Sequence, residues 1–332
     1  MGEARADRPA VVLRADGGRD AGLGHVRRCR ALAAALAPWA ECRLVVDEAP
    51  GLESALTAAR AGGAAALVVD SYRVSDDELA RARVHVRVTA RVDDTGRFPI
   101  PADLVINPAV GLAPPATPGA TRYCLGPRFA LLEPAFGVDP ARASPGNVRR
   151  VLVVLGGASQ AALMAAVARA VRAALPGAAL DVVVGPIGDA ADAVARALPG
   201  GGGVTVHAAP ESLRPLMLAA DLAVSGGGVT ALELAATATP TVAVRLSENQ
   251  RRNLDGLERA GALVQAGDAA DPGLAATVEA AVAALARDPA RRRRLGELGR
   301  DLVDGRGATR VADELRALVT APAAIAAGAR PC

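Results

Sequence analysis

The chain has 332 residues, a length that suits two domains of ordinary size and excludes a single small module. Hydrophobic residues make up 51% and aromatics 2%, so the core must be aliphatic, and the stacking platforms of single-strand nucleic-acid binders are excluded. All 38 basic residues are arginine, set against 35 acidic ones, so the net charge of +3 describes a mixed surface, no nucleic-acid partner is expected, and every mechanism that needs a lysine falls away.

The N-terminal MGEARADRPA has no apolar stretch of the signal-peptide kind, and no run of about 18 apolar residues follows. A cytoplasmic protein without stable membrane insertion is expected. Cys29, Cys42, Cys124 and Cys332 form no CxxC pair, so neither a zinc site nor a disulfide framework is expected.

From residue 11 onward short aliphatic runs alternate with Ala-rich segments of helical period, the pattern of βαβ units on a parallel sheet. The strands expected first are Val11 to Ala15, Arg43 to Asp47, Ala66 to Asp70, Val86 to Val92, Leu104 to Asn107 and Arg122 to Leu125. Between the first two, Val26, Cys29, Leu32, Ala33 and Leu36 mark a helix, with Arg27, Arg28 and Arg30 expected off its apolar stripe. Pro134 to Arg150 breaks the pattern with Pro, Gly, Ser and Asp, the composition of a linker. The second half is expected to place strands at Val151 to Leu155, Leu180 to Val184, Val204 to His207, Leu222 to Ser225, Thr241 to Val244 and Ala262 to Val264. The four consecutive arginines at 291–294 are expected to form a solvated helix face. The resulting division is a doubly wound domain at 10–135, a linker at 136–149, a second such domain at 150–320 and a tail at 321–332.

Three turns follow strands and open helices, where open α/β sheets bind ligands. In the first, Gly22 and Gly24 allow close backbone approach, and His25 stands at a helix N-terminus, which disfavours imidazolium and suits a proton acceptor. His85 and His207 have no comparable setting. In the second, Ser225-Gly226-Gly227-Gly228 opens a helix whose free amides suit a diphosphate, and Glu233 lies within reach of ribose hydroxyls. In the third, Ser247-Glu248-Asn249-Gln250 offers amide side chains for sugar hydroxyl or acetamido groups. Gly156-Gly157 after the first strand of the second half is a further phosphate candidate.

The pieces RADGGRDAGLGHVRRC, VVDSYRVS, Asp93-Asp94, YCLGPRFALLEPAF, VLVVLGGAS, AADLAVSGGGVTALELA, SENQRRNLDGLERAGA and DGRGATRV occur in that order. Over roughly residues 11 to 318 the chain resembles the nucleotide-sugar hydrolase family of pseudaminic acid biosynthesis, which acts on UDP-2,4-diacetamido-2,4,6-trideoxy-altropyranose and is related to the lipid II glycosyltransferase. The resemblance implies a GT-B fold, two Rossmann-like domains facing a cleft, and inverting hydrolysis of a UDP-linked sugar with no cofactor and no metal. It implies His25 as the base that activates water, Asp70 and Tyr72 near the sugar, Gly226, Gly227 and Gly228 on the diphosphate, Glu233 on the ribose, and Asn249 with Gln250 on the sugar or its phosphate. The LGPRFALLEPAF stretch, following Tyr123 and holding Phe129 and Phe136, is expected to close the first domain. Two departures from the family pattern, Ala158-Ser159 and ALELAATATP, fall near the nucleotide and sugar sites and point to a diverged substrate. The alternative is a glycosyltransferase of the same fold, in which an acceptor hydroxyl replaces water.

Overall fold

The computed structural model describes residues 8–18, 24–117, 119–140, 146–156, 161–185, 190–198 and 203–322. These form two compact units, each built on a six-stranded parallel sheet.

In the first unit the strands are β1 (Ala10–Asp16), β2 (Glu41–Asp47), β3 (Ala66–Asp70), β4 (Val88–Val92), β5 (Leu104–Asn107) and β6 (Arg122–Leu125). They lie in the order β2-β1-β3-β4-β5-β6, all parallel, so the chain reverses its direction of travel across the sheet between β1 and β3. Strand β3 is buried along its whole length, as a strand covered by helices on both faces must be, and edge strand β2 is half exposed. Helices α1 (Gly24–Leu36), α2 (Glu53–Ala61) and α3 (Asp76–Ala82) make the crossovers. Ser75 starts α3 with a capping box, its hydroxyl accepting from the Glu78 amide while Glu78 reaches back to the Ser75 amide.

The second unit holds β7 (Arg150–Val154), α4 (Ala161–Ala174), β8 (Ala179–Val184), α5 (Ala190–Ala197), β9 (Val204–Ala208), α6 (Arg214–Ala219), β10 (Leu222–Gly226), α7 (Val229–Ala236), β11 (Thr241–Arg245), α8 (Arg251–Arg259), β12 (Val264–Asp268), α9 (Leu274–Arg287) and α10 (Pro289–Leu302). Its order, β12-β11-β10-β7-β8-β9, places the reversal between β7 and β10.

The domain limits differ from the sequence expectation at two places. The last helix, α11 (Gly307–Thr320), belongs to the first unit, which resumes at Gly305. Its Ala308, Val311, Ala312, Leu315 and Val319 join the core of Val11, Leu13, Val26 and Leu32, and Glu314 pairs with Arg122 at 3.0 Å. A helix next to α10 in sequence is thus claimed by a distant apolar face, which periodicity cannot report. The expected linker also begins inside the second unit: Phe136 is buried, Arg300 donates to its carbonyl at 3.0 Å, and the same guanidinium binds Asp139 at 2.7 Å. Phe136 therefore does not close the first domain, whereas Phe129 packs on that domain's core and Tyr123 meets Phe98 edge-on at 5.3 Å.

Two smaller expectations change. Ala262 and Leu263 are buried in the turn after α8, and the strand starts at Val264. Within the arginine run, Arg292 is 1% exposed and donates to the carbonyls of Leu285, Ala286 and Gly146. The other three arginines are exposed.

Candidate functional site

Adjacent parallel strands deliver carboxylates to one edge of the first sheet. Asp16 ends β1, Asp70 ends β3, and Asp93-Asp94 follow β4 directly. This is the carboxyl end of the sheet beside its reversal point. Asp93 is used up locally: it accepts from the Thr95 and Gly96 amides at 2.9 and 2.7 Å and from Asn107 Nδ2 at 3.0 Å, and so fixes the turn that aims Asp94.

His25 is buried on the first turn of α1, with Nδ1 2.5 Å from Asp70 Oδ1. Two lone pairs cannot face each other at that distance, so Nδ1 carries a proton and donates, and in the neutral ring the lone pair is the one on Nε2. Arg28, one turn further along α1, donates through Nε to Asp70 Oδ2 at 2.8 Å and through Nη2 to Asp70 Oδ1 at 2.7 Å. The 3.1 Å approach of Arg28 Nη2 to His25 Nδ1 is then a contact between two donors that share one acceptor. Arg28 Nη1 reaches Asp94 Oδ1 at 2.8 Å, and Asp94 Oδ2 accepts the Tyr72 hydroxyl at 2.6 Å. The Tyr72 ring meets the imidazole edge-on, centroids 4.6 Å apart.

Burial works against charge on Arg28, but Asp70 and Asp94 outweigh it and hold its pKa well above the ordinary guanidinium value. Burial likewise raises the Asp94 pKa, and Arg28 with the Tyr72 hydroxyl reverses this to leave it below the usual carboxylate range. Behind the group, Asp16 accepts from Ser71 Oγ and the Tyr72 amide, each at 2.7 Å, and pairs with the fully buried Arg14.

The residues that the sequence singled out for this edge are placed as follows. His25, Asp70 and Tyr72 come together, and Gly24 opens α1, while Gly22 lies outside the described residues. Asp70 is fully buried, with Oδ1 held by His25 and Arg28 and Oδ2 by Arg28, so it orients the histidine. Arg28 was expected off the apolar face of its helix and is instead buried beside His25. Their spacing of three on a helix was the signal that pairs them.

In the second unit the glycine turn follows β10 at its carboxyl end. A Cβ on Gly226 would stand 2.5 Å from the Leu155 carbonyl, and one on Gly227 2.6 Å from Cδ1 of the fully buried Leu254, so the backbone demands the first glycine and a buried side chain crowds the second. Gly228 caps α7 and brings no side chain to its first-turn amides, of which that of Ala231 donates to the Gly228 carbonyl at 3.1 Å. A Cβ there would meet only Gln250 Nε2, at 3.7 Å.

Gln250 is part of this turn: its Oε1 accepts from the Gly227 and Leu246 amides, each at 3.0 Å. Asn253, which sequence reasoning missed, donates to the Gly227 carbonyl at 2.9 Å. The spacing of one helical turn between Gln250 and Asn253 was the available signal. Asn249 is exposed, and its Oδ1 accepts from Ser247 Oγ at 2.6 Å. Glu233 is 5% exposed within α7. Gly156 follows β7 with φ +122°, in the region that favours glycine, and Gly157 and Ala158-Ser159 lie outside the described residues.

No protein-family model and no curated protein matches the chain. Solved structures do. The glycotransferase of kitacinnamycin aligns at TM-score 0.64 with 18% identity, covering 94% of this chain and 99% of that one. The Staphylococcus aureus MnaA–UDP co-structure aligns at 0.64 with 13% identity over 93% and 96% of the two chains. MurG of Acinetobacter baumannii aligns at 0.59 with 14% identity over 93% and 99%. Together with the two six-stranded parallel sheets, these likenesses establish the GT-B fold. Among the described residues no helix is long and apolar enough to cross a membrane.

Proposed function

We propose that the protein is a nucleotide-sugar hydrolase that cleaves the anomeric C–O bond of a UDP-linked deoxy or acetamidodeoxy sugar with inversion. The observation that carries this reading is the 2.5 Å contact between Asp70 Oδ1 and His25 Nδ1 at the carboxyl edge of the sheet, which in the neutral imidazole puts the lone pair on Nε2. In the proposed step Nε2 takes a proton from water, the water oxygen bonds to the anomeric carbon, and the C–O bond to UDP breaks with its electron pair leaving on the diphosphate. The amides at Gly228 and the first turn of α7 would stabilise that charge, and Glu233, Asn249 and Gly156 remain candidates for nucleotide and sugar contacts. The fold shared with the MnaA–UDP co-structure supports the choice of UDP.

A second reading, transfer to an acceptor hydroxyl, is favoured by the likeness to the kitacinnamycin glycotransferase over 94% of this chain. The proton chemistry is the same, with the acceptor oxygen in place of water. Incubating the protein with a panel of nucleotide sugars and no acceptor, followed by mass spectrometry, separates the two. Equal release of UDP and free sugar supports hydrolysis; turnover that needs an added acceptor supports transfer.

A further inference from the structure

We propose that Arg28 is a positioning residue for His25, acting through the two carboxylates it holds. The proposal rests on the reading of His25 as proton acceptor. Five side chains close a ring: His25 meets Asp70, Asp70 meets Arg28, Arg28 meets Asp94, Asp94 accepts the Tyr72 hydroxyl, and the Tyr72 ring returns to His25. They come from α1, from the end of β3 and its following turn, and from the residue pair after β4. Arg28 supplies both joints that connect the carboxylates.

Without the guanidinium, Asp70 and Asp94 become like charges near one another in a largely buried place. One of them must rotate away or take up a proton. Either change at Asp70 removes the acceptor that keeps the proton on Nδ1, and a shift of that proton to Nε2 fills the lone pair that proton transfer requires. The planar fork of arginine is what fits: Nε and Nη2 lie against Asp70 while Nη1 reaches Asp94. Lysine, with one nitrogen on a flexible stem, cannot hold both carboxylates in these positions.

The test uses 15N-labelled full-length protein, whose three histidines allow the His25 ring signals to be assigned by their loss in His25→Asn. Above the ordinary imidazole titration range, the wild type is expected to show a protonated, pyrrole-type nitrogen at δ1 and a pyridine-type nitrogen at ε2. Arg28→Gln and Arg28→Lys are expected to lose that pattern in favour of the ε2-protonated form of free histidine. They are also expected to lower kcat roughly 100-fold with KM little changed. A δ1-protonated pattern that persists in either folded variant overturns the proposal, and so does failure of both variants to fold, which would make Arg28 a stability residue alone. The ring-nitrogen pattern is read without substrate. An inactive wild type with the expected pattern would therefore defeat the hydrolase reading and leave this one standing.

Discussion

The amide of Tyr72 donates to Asp16 Oδ2 at 2.7 Å, and the neighbouring Ser71 hydroxyl donates to Oδ1 at the same distance. A carboxylate at the end of β1 thus holds the turn after β3 that carries the tyrosine facing His25. Burial alone would raise the Asp16 pKa; the Ser71 hydroxyl, Arg14 and the Tyr72 amide outweigh it and leave it below the ordinary value. A carboxylate with a depressed folded-state pKa contributes stability that is complete above its unfolded value and is lost as pH falls through the folded value. Urea unfolding measured across the acid range should therefore show stability falling below about pH 4, with a shallower fall in Asp16→Asn. An identical slope in the two proteins would show that Asp16 has no part in acid unfolding.

His25→Ala should reduce turnover by about 10²–10⁴-fold, the usual contribution of a positioned base, with UDP affinity little changed in calorimetry. Asp70→Asn should fall in the same range with the fold intact, because an amide can present its NH₂ to Nδ1 and favour the wrong tautomer. Turnover near the wild-type rate in His25→Ala would defeat the assignment of the base.

The three glycines of the second turn should separate under substitution to alanine. Gly226→Ala drives a methyl to 2.5 Å from the Leu155 carbonyl and should cost about 1–3 kcal/mol in thermal or urea unfolding. Gly228→Ala meets nothing closer than 3.7 Å and keeps an ordinary negative φ, so its stability should stay near wild type. If the diphosphate lies on the backbone there, UDP binding should nonetheless weaken in that variant. Unchanged UDP affinity in Gly228→Ala would move the phosphate site elsewhere.

Gln250→Ala leaves the Gly227 and Leu246 amides without their shared acceptor and should cost about 1–3 kcal/mol. Gln250→Glu preserves the acceptor while adding negative charge at the turn. It should fold with near-normal stability and bind UDP more weakly, an effect that grows at low ionic strength. A Glu variant that binds UDP as tightly as wild type at low salt would show that the diphosphate lies away from this turn.

Arg292→Met removes the charged donor from three carbonyls and should cost about 1.5–3 kcal/mol. Arg294→Ala, two residues on and exposed, should stay within about 0.5 kcal/mol of wild type. Equal unfolding midpoints for the two variants would contradict the burial of Arg292.

The sequence by itself determined the two parallel sheets, nearly every strand within a residue or two, and the position of His25 and the glycine turn at strand ends. These are local matters: aliphatic runs, helical period and glycine placement are set by backbone sterics and by which face a segment buries. Tertiary structure alone decided the rest. The apolar face of α11 packs on the first unit because that core leaves a place for it, and no feature near Gly307 in the chain announces this. Arg28 reads as a surface residue until Asp70 and Asp94, 42 and 66 positions away, arrive to satisfy it in a buried place. Asp70 meets His25 and Arg28 only where the end of β3 and the first turn of α1 come together. Gln250 gives its carbonyl to the Gly227 and Leu246 amides, a pairing that its place in the chain does not announce. In each case a polar group was identified correctly by type. Its role was fixed by which partner satisfied its hydrogen bonds on burial, and the partners came together only when the sheet brought distant segments to one edge.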